Sequence, residues 1–242
     1  MSEKIFVIKY GETEISENQV FRGKSKNVML PISLVYYLIE IGNRKILVDV
    51  GCDTMPGFNL TLFKNPSQVL ESNGISADEI TDIIITHAHH DHIDGAKHYK
   101  NAEVYIQIEE YKGNENYLKN CKSVVTFDDG IQLDKKLCVI KIGGHSVGSS
   151  VAVLESDEKK FLFCGDECYV NDCFVKGIPT GNSINPEMSK KFLEAYGGND
   201  YVRLLFHDYS IYPRQLGMWQ IKKSGFAMQN RFIFIFRLSS LS

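Results

Sequence analysis

The sequence predicts an α+β layered domain, and three patterns carry that reading. Short runs rich in Ile, Val, Tyr and Phe recur along the chain, many spaced like antiparallel neighbours. A few helix signatures with recognisable start and stop residues interrupt them. No repeat, linker or low-complexity tract divides the chain, so residues 1–212 are expected to form one domain, with 213–242 as a C-terminal tail of uncertain structure.

Residues 4–9 and 32–41 read as strands, and Gly42-Asn43 makes a turn into a third over 45–50. That strand ends in Asp49-Val50-Gly51-Cys52-Asp53, where glycine marks a sharp exit. Residues 66–74 read as a short helix closed by Gly74, and Ser76 with Glu79 is a capping box that opens another. The apolar run at 82–86 suits a buried strand that delivers the following residues into a cleft. Residues 92–99 predict a helical turn, 103–108 a strand and 109–119 a polar helix. Strands follow near 131–133, 137–142, 150–155 and 160–165. Pro186 starts a helix running to Tyr196, which Gly197-Gly198 stops. The last strand, 201–206, ends at His207. In the tail, RFIFIF at 231–236 is apolar and aromatic but too short to span a bilayer.

With 242 residues, 43% hydrophobic and 24% charged, the composition is that of an ordinary globular protein with room for one large domain. The net charge of −3 is mild and acids and bases are interspersed. Such a surface lacks the basic face that neutralises nucleic-acid phosphates, which points to a small-molecule substrate and away from nucleic acid. No apolar run reaches the roughly 18 residues of a membrane span, and residues 1–10 lack a signal-peptide core. Six scattered cysteines show neither zinc-finger pairing nor disulfide density, so reduced thiols and a cytoplasmic location are expected. Cys168 and Cys173 read as small buried side chains.

The chemistry concentrates in Thr86-His87-Ala88-His89-His90-Asp91-His92. In an extended segment alternate side chains share a face, so His87, His89 and Asp91 converge. A turn into the following helix then swings His92 toward a neighbouring point. Two overlapping sets from one segment suit two adjacent metals better than one. Further candidates sit at strand ends: His145 among the glycines of Gly143-Gly144-His145-Ser146-Val147-Gly148, Asp166 after FLFC, and His207 after YVRLLF. Histidine and carboxylate donors without cysteine suit two hydrolytic Zn2+ ions, with iron, manganese or cobalt as alternatives. His90 and His98 do not fit the constellation and read as solvated or supporting residues.

These residues resemble the signature of the metallo-β-lactamase superfamily, H-x-H-x-D-H followed by a separate His, Asp and His. It stands here as His87, His89, Asp91, His92, His145, Asp166 and His207, in the family order, and the likeness covers most of residues 5–208. The resemblance implies a four-layer αβ/βα sandwich with metals at one edge of the two sheets. It implies one metal on His87, His89 and His145, a second on Asp91, His92 and His207, and Asp166 bridging both. Asp49 is implied to hydrogen-bond a ligand histidine and fix its tautomer.

Within the superfamily the chain is most similar to the N-acyl homoserine lactonases, which share its size, its seven ligands and a tyrosine three residues beyond the bridging aspartate, here Tyr169. True β-lactamases usually lack that aspartate, flavodiiron proteins carry glutamate where His89 stands, and glyoxalase II adds a basic C-terminal domain. The implied activity is quorum-quenching lactone opening by a water activated between two metals, with Tyr169 polarising the carbonyl and Asp91 shuttling a proton. A glyoxalase-II-like or general thioesterase is the alternative. Phe58, Leu62 and Phe63 form an apolar stretch near the metals that can either pack or grip an acyl chain. Two positions depart from commoner family forms: Asp94 in Asp-His-Ile-Asp-Gly, and Ser149 where many relatives have histidine.

Overall fold

The computed structural model describes residues 3–157 and 159–221. The first sheet contains β1 (Lys4–Ser16), β2 (Met29–Ile41), β3 (Arg44–Val48), β4 (Leu62–Phe63), β5 (Asp82–Ile85), β6 (Glu103–Gln107) and β7 (Ser123–Phe127). The second contains β8 (Gly130–Asp134), β9 (Leu137–Lys141), β10 (Ser150–Glu155), β11 (Lys160–Phe163) and β12 (Tyr201–Leu204), after which β13 (Gly217–Ile221) returns to the first. Among the described residues the strand orders are β13-β1-β2-β3-β5-β6-β7, with β4 on β1, and β12-β11-β10-β9-β8.

Alternation of side chains along each strand sets the layers. Ile46, Val48 and Ile84 face inward with Tyr37, meeting Val139, Leu154, Phe161, Phe163 and Leu204 of the second sheet. The intervening residues Leu47, Ile83 and Ile85 face outward, toward Val69, Leu70 and Ile93. On the far side Val151, Val153 and Leu162 share a cluster with Phe192 and Leu193. The result is helix, sheet, sheet, helix: the expected α+β sandwich. Full burial of one such aliphatic or aromatic side chain contributes about 1.5–3 kcal/mol, so the inner layer carries much of the stability.

The sheets are mixed, with more parallel pairing than the sequence pattern suggested. β3–β5, β5–β6, β6–β7 and β11–β12 are all parallel. Strands buried on both faces read as continuous apolar runs, which explains why 82–85 shows no alternation. The crossovers are α2 (after α1, Glu17–Val20), spanning Pro66–Ser72, then α3 (His90–Ile93), α4 (Ile108–Tyr111) and α5 (Glu115–Leu118). The polar helix foreseen over 109–119 is split, because Gly113 takes a left-handed φ of 81°. The Ser76–Glu79 capping box forms as foreseen but closes only a 3-10 turn, Ala77–Glu79. Beyond α6 (Asn171–Lys176), α7 spans Pro186–Tyr196, as its proline start and glycine stop predict.

Two elements exceed the pattern. β1 and β2 continue to Ser16 and Met29 as a long hairpin arm, with a register shift between Lys9 and Gly11. β13 pairs antiparallel with β1, Ile5 opposite Ile221, so part of the segment after residue 212 belongs to the sheet. The RFIFIF stretch lies outside the described residues. No helix among the described residues is long and apolar enough to cross a membrane.

Phe163 sits between the sheets, its ring edge-on to Tyr37 at 5.3 Å. Phe163→Ala is expected to cost about 3–5 kcal/mol, read as a lower urea midpoint with an unchanged slope.

Candidate metal centre

Five backbone exits converge on one edge of the sandwich, all at the C-terminal ends of strands. β3 leads to Asp49, β5 to the 87–92 segment, β9 to His145, β11 to Asp166 and β12 to His207. Hydrogen bonds fasten these exits together: Ser150 N–H to the Thr86 carbonyl (2.8 Å), Val50 N–H to that of His92 (3.0 Å), and Ser33 N–H to that of His207 (3.2 Å). Glycines permit the closeness. A Cβ on Gly95 would collide with the Val50 carbonyl, and one on Gly144 with the Glu167 carboxylate.

All seven side chains anticipated from the sequence meet here, in two groups. His87, His89, His145 and Asp166 form one, and Asp91, His92 and His207 the other, with one ligand-type atom from each member within 4.8 Å of the rest. In the first group His89 Nδ1 lies 3.0 Å from both His87 Nε2 and His145 Nε2. Asp166 divides its oxygens between the groups. Its Oδ2 is 3.7 Å from His87 Nε2 and 3.5 Å from His145 Nε2. Its Oδ1 is 3.1 Å from His92 Nε2 and 3.0 Å from His207 Nε2. Asp91 Oδ2 stands 3.7 Å from both of those nitrogens.

The donor set fits metal ions. His92 Nε2 and Asp166 Oδ1 are buried, close together, and without a hydrogen-bond partner among the described residues. Buried polar atoms are rarely left so, and atoms aimed at a shared point rather than at each other suit a common cation. The outer nitrogens agree. His92 Nδ1 is 2.7 Å from Asp49 Oδ2, and His207 Nδ1 is 3.0 Å from the Ser33 carbonyl. His87 Nδ1 lies 3.1 Å from Thr86 Oγ1, whose own proton goes to Asp49. Each of these nitrogens is therefore the donor, leaving Nε2 with a lone pair facing the centre.

Charge is distributed unevenly. Burial, reinforced by neighbouring histidines, pushes His87 well below the ordinary imidazole range and His145 down to about 4. Burial acts the same way on His92 and His207, but Asp166 and Asp91 outweigh it and hold both above their ordinary value. Burial also opposes the Asp166 charge, yet the surrounding histidines keep that carboxyl well below its usual range. The Asp166–Asp91 side is thus built to attract positive charge.

Supporting residues were partly legible. Asp49 accepts from Thr86 N–H, Thr86 Oγ1–H and His92, and adopts a left-handed φ of 58° that few side chains tolerate. Sequence reasoning passed over two buried glutamates. Glu110 accepts from Ala88 N–H, Ser146 Oγ–H and Gly148 N–H, while Glu167 accepts from Gly144 N–H, His145 N–H and Ser149 Oγ–H. Glu167 was visible beside Asp166, but Glu110 lay in what read as a polar helix face. Ser149 thus serves Glu167. Asp94 binds Lys97 and the Asp53 N–H, away from both ligand groups.

Tyr169 is 5% exposed, its ring 4.9 Å from that of His207. Its hydroxyl oxygen accepts from Asn182 Nδ2 at 3.2 Å. Burial and the Asp166 charge drive the phenol pKa well above its ordinary value, so it stays a proton donor. His90 binds the Thr54 carbonyl and His98 pairs with Asp53, so neither joins the cluster. Cys168 and Cys173 are buried, their thiols on the carbonyls of Val170 and Val20. Phe63 of β4 packs against Tyr10 of β1, whereas Phe58 is 39% exposed.

A two-sheet sandwich with a His/Asp metal-binding cluster at its edge defines a metal-dependent hydrolase. The chain belongs to the metallo-β-lactamase superfamily, whose family model matches residues 33–195. It is 22% identical over 211 residues to an N-acyl homoserine lactonase of Bacillus thuringiensis, covering 77% of this chain and 84% of that one. It is 28% identical over 151 residues to a hydroxyacylglutathione hydrolase of Pectobacterium atrosepticum, covering 60% of this chain and 51% of the relative. The structure of AidC, a dizinc quorum-quenching lactonase with a product N-hexanoyl-L-homoserine, superposes with a TM-score of 0.72 at 19% identity, covering 93% and 92% of the two chains.

Asp49→Asn keeps a residue that tolerates the left-handed backbone and removes only the carboxylate charge. Zinc retention in a chelator competition is expected to fall by roughly 10–100-fold; undiminished retention would show that Asp49 does not tune the histidines.

Proposed function

We propose that this chain is a dinuclear metallohydrolase that opens a lactone of the N-acyl homoserine lactone type. The observation that carries the reading is the split of the Asp166 carboxylate between two ligand groups, with a protonated tyrosine beside it. On this reading His87, His89 and His145 would hold one Zn2+, Asp91, His92 and His207 would hold the other, and Asp166 would contribute to both. Bound metals would activate a water near neutral pH and polarise an ester carbonyl.

The protein's own groups do the rest. His89 is exposed and Asp91 half-buried, whereas the other ligands are buried, so substrate enters over these two. Tyr169 donates its phenolic proton to the carbonyl oxygen as negative charge builds there. Asn182 donates an amide N–H to that hydroxyl, so the phenol's own proton points inward, toward Asp166. Asp91 takes a proton from the attacking water and delivers it to the ring oxygen as the acyl C–O bond breaks. The small-molecule substrate and the cytoplasmic setting belong to the same proposal, as does a single domain that takes in β13 beyond residue 212.

Hydrolysis of a small acyl thioester is the second reading, favoured by the similarity to the hydroxyacylglutathione hydrolase. Metal analysis of the purified protein with a panel of acyl homoserine lactones and acyl thioesters separates the two. Two metals per chain and preferential lactone turnover are expected, while turnover confined to thioesters would overturn the lactone assignment. Tyr169→Phe should lower lactone turnover by roughly 10–1000-fold, the scale of losing one oxyanion donor, with metal content intact.

A further inference from the structure

Three of the cluster's five histidines differ from the other two in what fixes them, and the difference isolates one half of the centre. His87, His92 and His207 are anchored through their outer Nδ1 atoms to Thr86, Asp49 and the Ser33 carbonyl. His145 Nδ1 is buried and has no partner among the described residues. His89 faces the cluster through Nδ1, and its Nε2 has no hydrogen bond to the protein among the described residues. Two of the three histidines in the first group therefore owe their aim to the backbone that carries them.

Glu167 holds the Gly144 and His145 N–H groups, but among the described residues one side chain joins that loop to the 87–89 segment. Glu110, 7% exposed on α4, reaches both ligand loops at once. Oε2 accepts the Ala88 N–H at 2.8 Å, between His87 and His89. Oε1 accepts the Ser146 hydroxyl at 2.6 Å and the Gly148 N–H at 2.8 Å, just past His145. Among the described residues nothing comparable ties Glu110 to Asp91, His92 or His207, whose supports are Tyr10, Asp49 and Ser33.

We infer that Glu110 is a positioning residue that sets the spacing between the 87–89 and 145–148 loops, and thereby governs occupancy of the His87–His89–His145 site independently of the other. The inference rests on the dinuclear reading above. Glutamine is the sharp test, because all three partners are donors. Its single oxygen can serve one loop only, and its NH2 then faces an N–H of the other, a repulsive pairing of donors.

The experiment titrates apo protein with Co2+, following visible absorption and bound metal per chain for wild type, Glu110→Gln, Ser146→Ala and His145→Ala. Wild type is expected to take two ions. Glu110→Gln should keep the ion of the Asp91–His92–His207 site and weaken the other by roughly 10–100-fold, giving the spectrum of His145→Ala. Ser146→Ala removes one donor of three and leaves both backbone bonds, so it decides the matter where Glu110→Gln folds poorly. It should weaken the same site by about 3–10-fold, a fraction of the outer-ligand effect. Wild-type binding in both variants, or equal weakening of both sites, overturns the inference. A wild-type protein that binds one ion or none instead overturns the dinuclear reading, so the two failures are told apart.

Discussion

A carboxylate buried among imidazoles governs the rest of this structure. Taking an isolated carboxylate out of water costs several kcal/mol even after relaxation, and Asp166 is only 4% exposed. The protein offsets that cost by surrounding it with four ring nitrogens, His87, His92, His145 and His207, within 3.7 Å. Those nitrogens bring a difficulty of their own, since neutral imidazoles turned lone pair inward repel one another. Positive charge at the centre resolves both conflicts. The upward shift of His92 and His207 is the same demand expressed through protons.

The fold answers that demand through its parallel strands. A parallel array sends successive C-terminal ends to one edge, where β3 and β5 leave Asp49 and His87 adjacent. The second sheet contributes its parallel pair, β11 and β12, which deliver Asp166 and His207 side by side. Antiparallel hairpins alone would alternate the ends and scatter these residues over two edges. The inner aromatic layer, Tyr37 against Phe163 and Phe206, keeps the sheets in register just below the cluster. The Tyr37 hydroxyl also grips the Leu205 carbonyl, two residues before His207.

The legible and illegible parts of the sequence divide along physical lines. The cluster was readable because metal chemistry admits few residue types and packs them into one dense segment with glycine-flanked partners. Strands β5 and β11 were readable as apolar runs feeding those ligands. By contrast, β7 is half-exposed, and β13 pairs with β1, more than 200 residues away, a contact that no local pattern encodes. Glu110 was invisible for a related reason. A buried carboxylate bound to backbone donors looks identical in sequence to a solvated one, and only the return of two distant loops gives it partners.

The same division separates the cluster from the loops that surround it. The ligands are crowded by chemistry, but the ground around them is held by ordinary hydrogen bonds between loops. The β1–β2 arm touches the 53–63 stretch through Thr13 and the Asn59 carbonyl, and the 177–185 stretch through Arg22 and the Pro179 carbonyl. Asn182 in the latter meets Tyr169, so the arm, that loop and the phenol are mechanically one piece. Loops of this kind accept substitution far more readily than the cluster does. Such a chain can therefore stand at 22% identity to a lactonase relative while its own seven cluster residues stay together and the loops around His89 and Asp91 remain free to vary. Under the proposed hydrolysis the cluster would set the bond-breaking chemistry, and the arm with its two neighbouring loops is the ground over which an acyl substrate would be selected.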